Sequence, residues 1–396
     1  MRLYALLRDW VGQDQPHFFW SHGEQLIIGA GSLVHWQDQG IHRFQSFRHV
    51  LGDHPGYWMG GFGFFPGDPS GFFSPRCLVR RHGRDTLLTV FETPDTDSDH
   101  LWDLIHHLPI LPLAPSAGIP TLPTLTPPTL PIPTALRLIE QGSLEKIVLA
   151  ASLTLTLPTL PSLAQILANL RHLYRDCTVF ACAHPLGGVF LGASPEPLVR
   201  VQSSHLTTVA LAGSAPRHPD PQRDHDLGAA LLGSTKDRYE QHLVTESILT
   251  TFCQLGITPH LPEHYPSLRQ LTHIQHLQTP IQAQLPPHLH LLDVVAALHP
   301  TAAVAGLPRE RACQSIQRLE SFHRGLYAAP IGWLDPLGNG DFVVGIRSAW
   351  MTPPQVTLYA GAGIVAGSLV EREQAEITWK WQTLLPAILP ASPTAS

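Results

Sequence analysis

Four short segments carry side chains whose types and spacing suit acid–base or metal chemistry. In VEREQAEITWKWQTLL, Glu373, Glu376 and Lys380 stand at i, i+3 and i+7, which on a helix sets two carboxylates and an ammonium along one face. The preceding AGAGIVAGS supplies glycines whose bare amides could face an anion. Taken alone, this helix also reads as a solvated charged face with a Glu376–Lys380 pair worth tenths of a kcal/mol. In KDRYEQH, Asp237 and Glu240 are three residues apart and Lys236 lies four before Glu240. That too reads as an ordinary helix start, where acids are favoured. Carboxylates from the two helices could jointly hold a hard divalent ion such as Mg²⁺, which keeps its waters and needs only one or two of them. Lys146 opens the apolar run KIVLAAS, and Glu196 sits between two prolines in GASPEPL. Desolvation lowers the pKa of a lysine and raises that of a glutamate, so such a pair could supply a base and an acid near neutrality. A strand-end lysine and a loop glutamate in water is the plainer alternative.

These groups need a scaffold, and the chain has material for one. It has 396 residues, 43% of them hydrophobic and only 14% charged, against a usual charged share of about 25%. A net charge of −6 argues against a nucleic-acid binder. The five cysteines are scattered with no Cys-x-x-Cys pair, which disfavours a disulfide scaffold or a thiolate zinc site. No run of apolar residues is long enough to span a membrane and the N-terminus lacks a signal-peptide core, so a soluble, cytoplasmic protein is expected. His273 and His276 could form a metal pair, but among 24 histidines a chance pair is the better reading. GAGIVAG lacks the dinucleotide spacing, and neither a Walker A sequence nor a G-x-S-x-G elbow occurs.

The clearest boundary is the proline-rich stretch 108–133, with nine prolines that exclude a helix or central strand through it. It reads as an extended connector between a β-rich part (1–107), marked by GYWMGGFGFFPG, and a larger region (134–390). In the latter the pattern predicts a short helix over 135–141, strands in KIVLAASLTLTL, GGVFLGAS, PLVRVQ and LTTVALAG, and a helix over 234–255 capped by Ser234. Helices in LLDVVAALH and PRERACQSIQRLE follow. Then come three strands, GLYAAPIGWLD, GDFVVGIRSAW and QVTLYAGAGIV, with a hairpin turn at 335–340, and a last helix over 371–385. Hairpins among the strands favour antiparallel pairing and an α+β fold.

In order along the chain, KIVLA, FLGASPEPL, ALAGSAPR, STKDRYEQHLV, LHPTAAVAG, RGLYAAPIGW, GIRSAW and GAGIVAGS with its downstream E, E, T and K resemble the motifs of the chorismate-binding enzymes. The resemblance runs roughly from Ile139 to Leu389. It implies one compact α+β domain, two large antiparallel sheets packed at the centre with helices outside, the connector crossing between its halves. It also implies roles. Glu240 and Glu376 match the magnesium ligands, with Glu373 supporting the metal from behind. Lys146 matches the base that activates water for attack at ring carbon 2, and Glu196 the acid that protonates the departing carbon 4 hydroxyl. Arg347 with Tyr327 matches the site of the enolpyruvyl carboxylate, Lys380 a further substrate contact, and Gly213, Ser214, Gly361 and Gly363 an amide cradle. His299 and Ala303 would line the same pocket.

Within the family, the chain looks most like isochorismate synthase. Ammonia-using members lack the lysine at 146. Aminodeoxychorismate synthases carry a nucleophilic lysine in the segment that here reads Leu211, Ala212, Gly213 and Ser214. Salicylate synthases usually carry threonine in place of Ala303. The implied activity is conversion of chorismate to isochorismate for menaquinone, phylloquinone or siderophore pathways, by a monomer with no obligate glutamine amidotransferase subunit. A salicylate synthase and a catalytically silent chorismate binder are the alternatives. Two departures from the family pattern stand out: Ala151 where arginine is usual, and Gln241 where histidine often follows the metal-binding glutamate.

Overall fold

The computed structural model describes residues 15–91, 128–157, 160–272 and 274–389. The β-branched and alternating segments become strands: β1 (His17–His22), β2 (Gln25–Asp38), β3 (Trp58–Gly61), β4 (Ser70–His82), β5 (Asp85–Val90), β6 (Lys146–Thr156), β7 (Thr178–Ala183), β8 (Val189–Ser194), β9 (Pro197–Gln202), β10 (His205–Pro216), β11 (Ser267–Gln270), β12 (Ile274–Gln284), β13 (Gly306–Leu307), β14 (Pro330–Leu334), β15 (Gly340–Val344), β16 (Ser348–Thr352) and β17 (Gln355–Val365). The described helices are α1 (Arg43–Asp53), α2 (Ile132–Glu140), α3 (Leu163–Leu173), α4 (Pro221–Gly233), α5 (Thr235–Gln254), α6 (Leu291–Leu298), α7 (Arg309–Leu319) and α8 (Val370–Ile388).

All strand pairs are antiparallel, and they branch at the long strand β4. One arm runs β4-β2-β1-β7-β8-β16-β17-β6-β13 and the other β4-β3-β14-β15-β9-β10-β12-β11. The two expected sheets are thus two arms sharing a strand, and buried apolar side chains from both form one contiguous core. The glycine–aromatic segment of the N-terminal part ties into the second arm. Phe62 N donates to Pro330 O (3.0 Å) and Phe64 N to Gly325 O (2.8 Å). A side chain at Gly60 would meet Gly71 O at 2.0 Å, so only glycine lets β3 lie this close to β4.

Local expectations meet the structure with instructive differences. Ser234 caps α5, its Oγ accepting from Asp237 N. Helix α2 begins at Ile132, inside the stretch read as connector. Pro133 sits in its first turn, where a missing N–H is harmless. Residues 108–127 of that connector lie outside the described residues, as does His273. Helix α8 runs to Ile388 and carries Pro386 in its last turn. Two expected strands are shorter. GLYAAPIGWLD is a turn until Pro330, and GDFVVGIRSAW breaks between Val344 and Ser348. At those breaks Ala328 (φ +61°) and Arg347 (φ +50°) take left-handed backbone conformations, which reverse the chain and end the pairing.

Candidate active site

The floor of the site is the β6–β17 pair, in register Lys146↔Val365, Val148↔Gly363 and Ala150↔Gly361. The two glycines face side chains that need the space. A Cβ at Gly363 would fall 2.2 Å from Glu240 Oε1, and one at Gly361 2.9 Å from the Tyr327 hydroxyl. Helix α5 packs on β10 and brings Glu240 over the floor, while α8 packs on β17 and brings Glu376 and Lys380. Gly213 (φ +73°) makes the bulge in β10 that turns the 213–214 segment toward α5, where a Cβ would stand 3.1 Å from Asp237 Cβ.

A cavity of about 90 Å³ is lined by Glu196, Gly213, Ser214, Glu240, Ala303, Tyr327, Arg347, Gly361, Gly363, Glu376 and Lys380. It adjoins a wider surface cleft of about 490 Å³ through Ser214, Asp237 and Glu376. Residues that the sequence singled out in separate segments thus share one chamber. Three named residues do not line it. Lys146 is wholly buried beside it, with Nζ 3.1 Å from Glu240 Oε1. The contact is a buried ion pair that favours the charged form of Glu240. Glu373 is 1% exposed and paired with Lys236 at 3.1 Å, a contact that sets it behind the chamber. His299 is placed elsewhere than expected. Its Nε2 meets Phe64 O at 2.9 Å and its ring packs against Phe44 and Phe64, because the loop it begins docks on the N-terminal aromatic segment.

Electrostatics divide the chamber into an acid side and a cation-rich side. Burial pushes the Glu196 carboxyl up to about 7, against the partial relief of Lys146 and Lys380. Glu240 is also deeply buried, which alone would raise it, but Lys146 and Lys236 together hold it below the ordinary value. Lys236 lies 3.7 Å from Glu240, 3.7 Å from Asp237 and 3.1 Å from Glu373. Burial disfavours its charge, yet the three carboxylates raise its pKa. Lys380 pairs with Glu376 at 2.6 Å and donates to Gly361 O at 2.6 Å. Burial lowers the Arg347 guanidinium, and it makes no hydrogen bond or ion pair among the described residues. Tyr327, stacked on Tyr359 with ring centroids 5.1 Å apart, has a hydroxyl equally without a partner there.

Some lining residues went unread in the sequence. Lys236 was visible only as a helix pair with Glu240. His276 was set aside as a chance histidine. It lines the cavity, and its Nδ1 lies 2.8 Å from Ser214 Oγ. Burial, with Arg347 and Lys380 nearby, drives its pKa well down, so the ring is neutral. Tyr359 gave no signal beyond strand alternation. Gln241, the departure from the family pattern, donates to Thr279 Oγ1 (2.6 Å) and Thr245 Oγ1 (3.0 Å) and so fastens α5 to β12 without a titratable ring. Ala151, the other departure, is buried opposite Ala360.

Glu240 and Glu376 are the cavity-lining glutamates that suit a hard cation which keeps waters. In this arrangement each is matched by lysine, and no group of three or more His, Cys, Asp or Glu side chains among the described residues is disposed as a metal site. Two carboxylates lining one cavity are the donor type that a hard cation retaining waters would take.

A family model described as "Chorismate binding enzyme" matches residues 131–389. The chain is 42% identical over 250 residues to the salicylate biosynthesis isochorismate synthase of Pseudomonas aeruginosa, a match covering 63% of this chain and 52% of that one. It is 33% identical over 386 residues to the isochorismate synthase MenF of Escherichia coli (strain K12), covering 93% and 87%. The matched length is about half to two thirds of several such relatives. Among solved structures, the menaquinone-specific isochorismate synthase MenF from Escherichia coli aligns with TM-score 0.80 and 31% identity, over 96% of this chain and 90% of that one.

Proposed function

The chain belongs to the chorismate-binding enzymes, and on that premise we propose that it is an isochorismate synthase that adds water at carbon 2 of chorismate and expels the carbon 4 hydroxyl. The observation that carries this reading is the pairing of a carboxyl at about 7, Glu196, with a buried lysine, Lys146, which acts as a partner charge on it. Hydroxide is a poor leaving group, so the reaction needs a proton donor at carbon 4. Water is a poor nucleophile, so it needs a base at carbon 2. Lys146 takes the proton of the attacking water. Glu196 in its protonated form gives a proton to the departing hydroxyl as the double bonds shift. Atoms balance: one water enters, one leaves, and the product is an isomer of the substrate.

Chorismate is a dicarboxylate, and the chamber offers matching donors. The Arg347 guanidinium and Tyr327 hydroxyl, both without a hydrogen-bond partner among the described residues, suit the enolpyruvyl carboxylate, Arg347 through its planar fork. Family members work with a metal cofactor; Mg²⁺ is the ion assigned here, and Glu240 and Glu376 would hold it, with Glu373 behind them. Such an ion would offset the charge of the ring carboxylate. Lys146 and Lys236 balance the charge of Glu240. Lys380 anchors the floor by its bond to Gly361 and lies beside the ring site. Ser214, fixed by neutral His276, presents the 213–214 amides.

The reading includes a monomer that needs no amidotransferase subunit, because the nucleophile is water rather than ammonia, and a cytoplasmic location. No helix among the described residues is long and apolar enough to cross a membrane. Incubating the purified protein with chorismate and Mg²⁺ and identifying products by chromatography tests it. Isochorismate is expected. Salicylate plus pyruvate would mark a salicylate synthase instead, and binding without turnover a silent binder.

A further inference from the structure

Strand β6 carries Lys146 at its start, and its outer edge is only partly paired. One side runs the length of β17, but the other meets β13 at Lys146 and Ile147 alone. Val148 N finds Ala305 O at 2.8 Å. The next two groups on that edge, Val148 C=O and Ala150 N–H, are buried with no strand beside them. Two side chains take the strand's place. Arg324 Nη2 donates to Val148 O at 2.9 Å, and Ala150 N donates to Glu320 Oε1 at 2.8 Å.

The two side chains also close on each other. Arg324 Nε meets Glu320 Oε2 at 2.9 Å and Nη2 meets Oε1 at 2.6 Å, with both side chains no more than 2% exposed. The remaining guanidinium nitrogen, Nη1, donates to Val304 O at 2.7 Å, and the group lies over the Phe64 ring at 4.4 Å. Arg324 O accepts from Tyr327 N at 2.8 Å. Arg324 therefore ties together three walls of the chamber: its guanidinium holds β6 at Val148 and the 301–305 loop at Val304, and its main-chain carbonyl holds the turn that presents Tyr327.

A buried ion pair is a poor source of stability, since apolar side chains of similar volume often do as well or better. What this pair supplies instead is direction: an acceptor where β6 has an N–H and donors where it and the loop have carbonyls. We propose that Glu320 and Arg324 are positioning residues that act as a surrogate strand and fix the Lys146-bearing strand relative to Ala303 and Tyr327. The proposal rests on the isochorismate synthase reading, in which Lys146 is the base and Tyr327 binds a carboxylate. Neither Glu320 nor Arg324 lines the chamber, so both act through other residues.

The test uses two variants of the full chain. Arg324→Lys keeps the charge pair but not the three-way donation. The paired change Glu320→Met with Arg324→Met removes the charges and fills the space. Thermal denaturation reports folding, steady-state kinetics with chorismate reports kcat and KM, and amide hydrogen exchange reports protection at Val148–Ala150. The expected result for Arg324→Lys is a near wild-type melting temperature, a kcat lower by about 10- to 100-fold, the size of effect a small misplacement of reacting groups produces, and faster exchange at Ala150. The paired variant, where folded, behaves the same way. A folded Arg324→Lys with wild-type kcat, KM and exchange overturns the proposal, because a merely structural ion pair would be kept by lysine. Wild-type protein that leaves chorismate unchanged sinks the activity reading instead. The exchange measurement, which needs no substrate, then decides the clamp by itself.

Discussion

Glu196→Gln is the substitution that most sharply separates a catalytic acid from a buried structural carboxyl. Burial moves this carboxyl from the ordinary 4.5 to about 7, which makes its ionisation harder by roughly 3 kcal/mol. At pH 7 about half of the molecules then hold the proton ready, against about 0.3% for a carboxyl at its ordinary value, a gain of over a hundredfold in competent enzyme. The acid form is the active one. Its contribution is full below about 7 and falls about tenfold per pH unit above it. The robust signature of Glu196 is therefore a bend near 7, where the slope of log kcat/KM against pH becomes one more negative. Glutamine cannot ionise or donate a proton to the leaving hydroxyl. The variant should lose about 10²- to 10⁴-fold in kcat, the usual share of general acid catalysis. Its KM should change little, and the bend should vanish. Initial rates over pH 5.5 to 9, followed by product chromatography, measure all three. A variant within threefold of wild type, or a wild-type profile with no bend near 7, would refute the assignment of the acid and the reasoning from burial behind it.

The other predictions concern the cation-rich side. Lys146→Met should abolish water addition and, by removing the nearer of the two lysines paired with buried Glu240 among the described residues (Lys146 at 3.1 Å, Lys236 at 3.7 Å), lower stability by about 3 kcal/mol, the lower end for breaking a buried pair; denaturant unfolding alongside the assay checks both. Glu240→Gln and Glu376→Gln should each abolish Mg²⁺-dependent turnover and weaken Mg²⁺ binding by calorimetry at least tenfold, the scale for losing one of few charged ligands. Gly363→Ala, whose methyl would fall 2.2 Å from Glu240 Oε1, should leave a folded protein with about tenfold or lower kcat, read by circular dichroism and kinetics together.

Much of this site was legible in the sequence, but unevenly. Ser234 capped the helix that it was expected to cap, and KIVLAAS formed the strand that buries Lys146, because caps and β-branched alternation act locally. Tyr327 and Arg347 came only from family resemblance. The strand pattern runs straight through both. The chain breaks there at non-glycine residues in left-handed conformations, and no local signal such as Gly or Asn marks them. The Glu376–Lys380 spacing was compatible with a solvated helix face. It sits at the chamber only because β17 packs beneath α8, a tertiary fact. His276 and the Glu320–Arg324 pair were missed for the same reason. His276 is defined by Ser214, 62 residues away, and Arg324 by Val148, 176 residues away, so neither role exists in any window of sequence. His299 misled for the opposite reason: its motif is local, but its ring is claimed by the N-terminal aromatic segment.

The central claim is that this chamber adds solvent water to carbon 2 of chorismate while expelling the carbon 4 hydroxyl. Turnover of chorismate with Mg²⁺ in ¹⁸O-labelled water, read by mass spectrometry and NMR of the product, tests it most directly. The account predicts isochorismate carrying one solvent-derived oxygen, located at carbon 2. Isochorismate with no label, label at any other carbon, or no consumption of chorismate would contradict it.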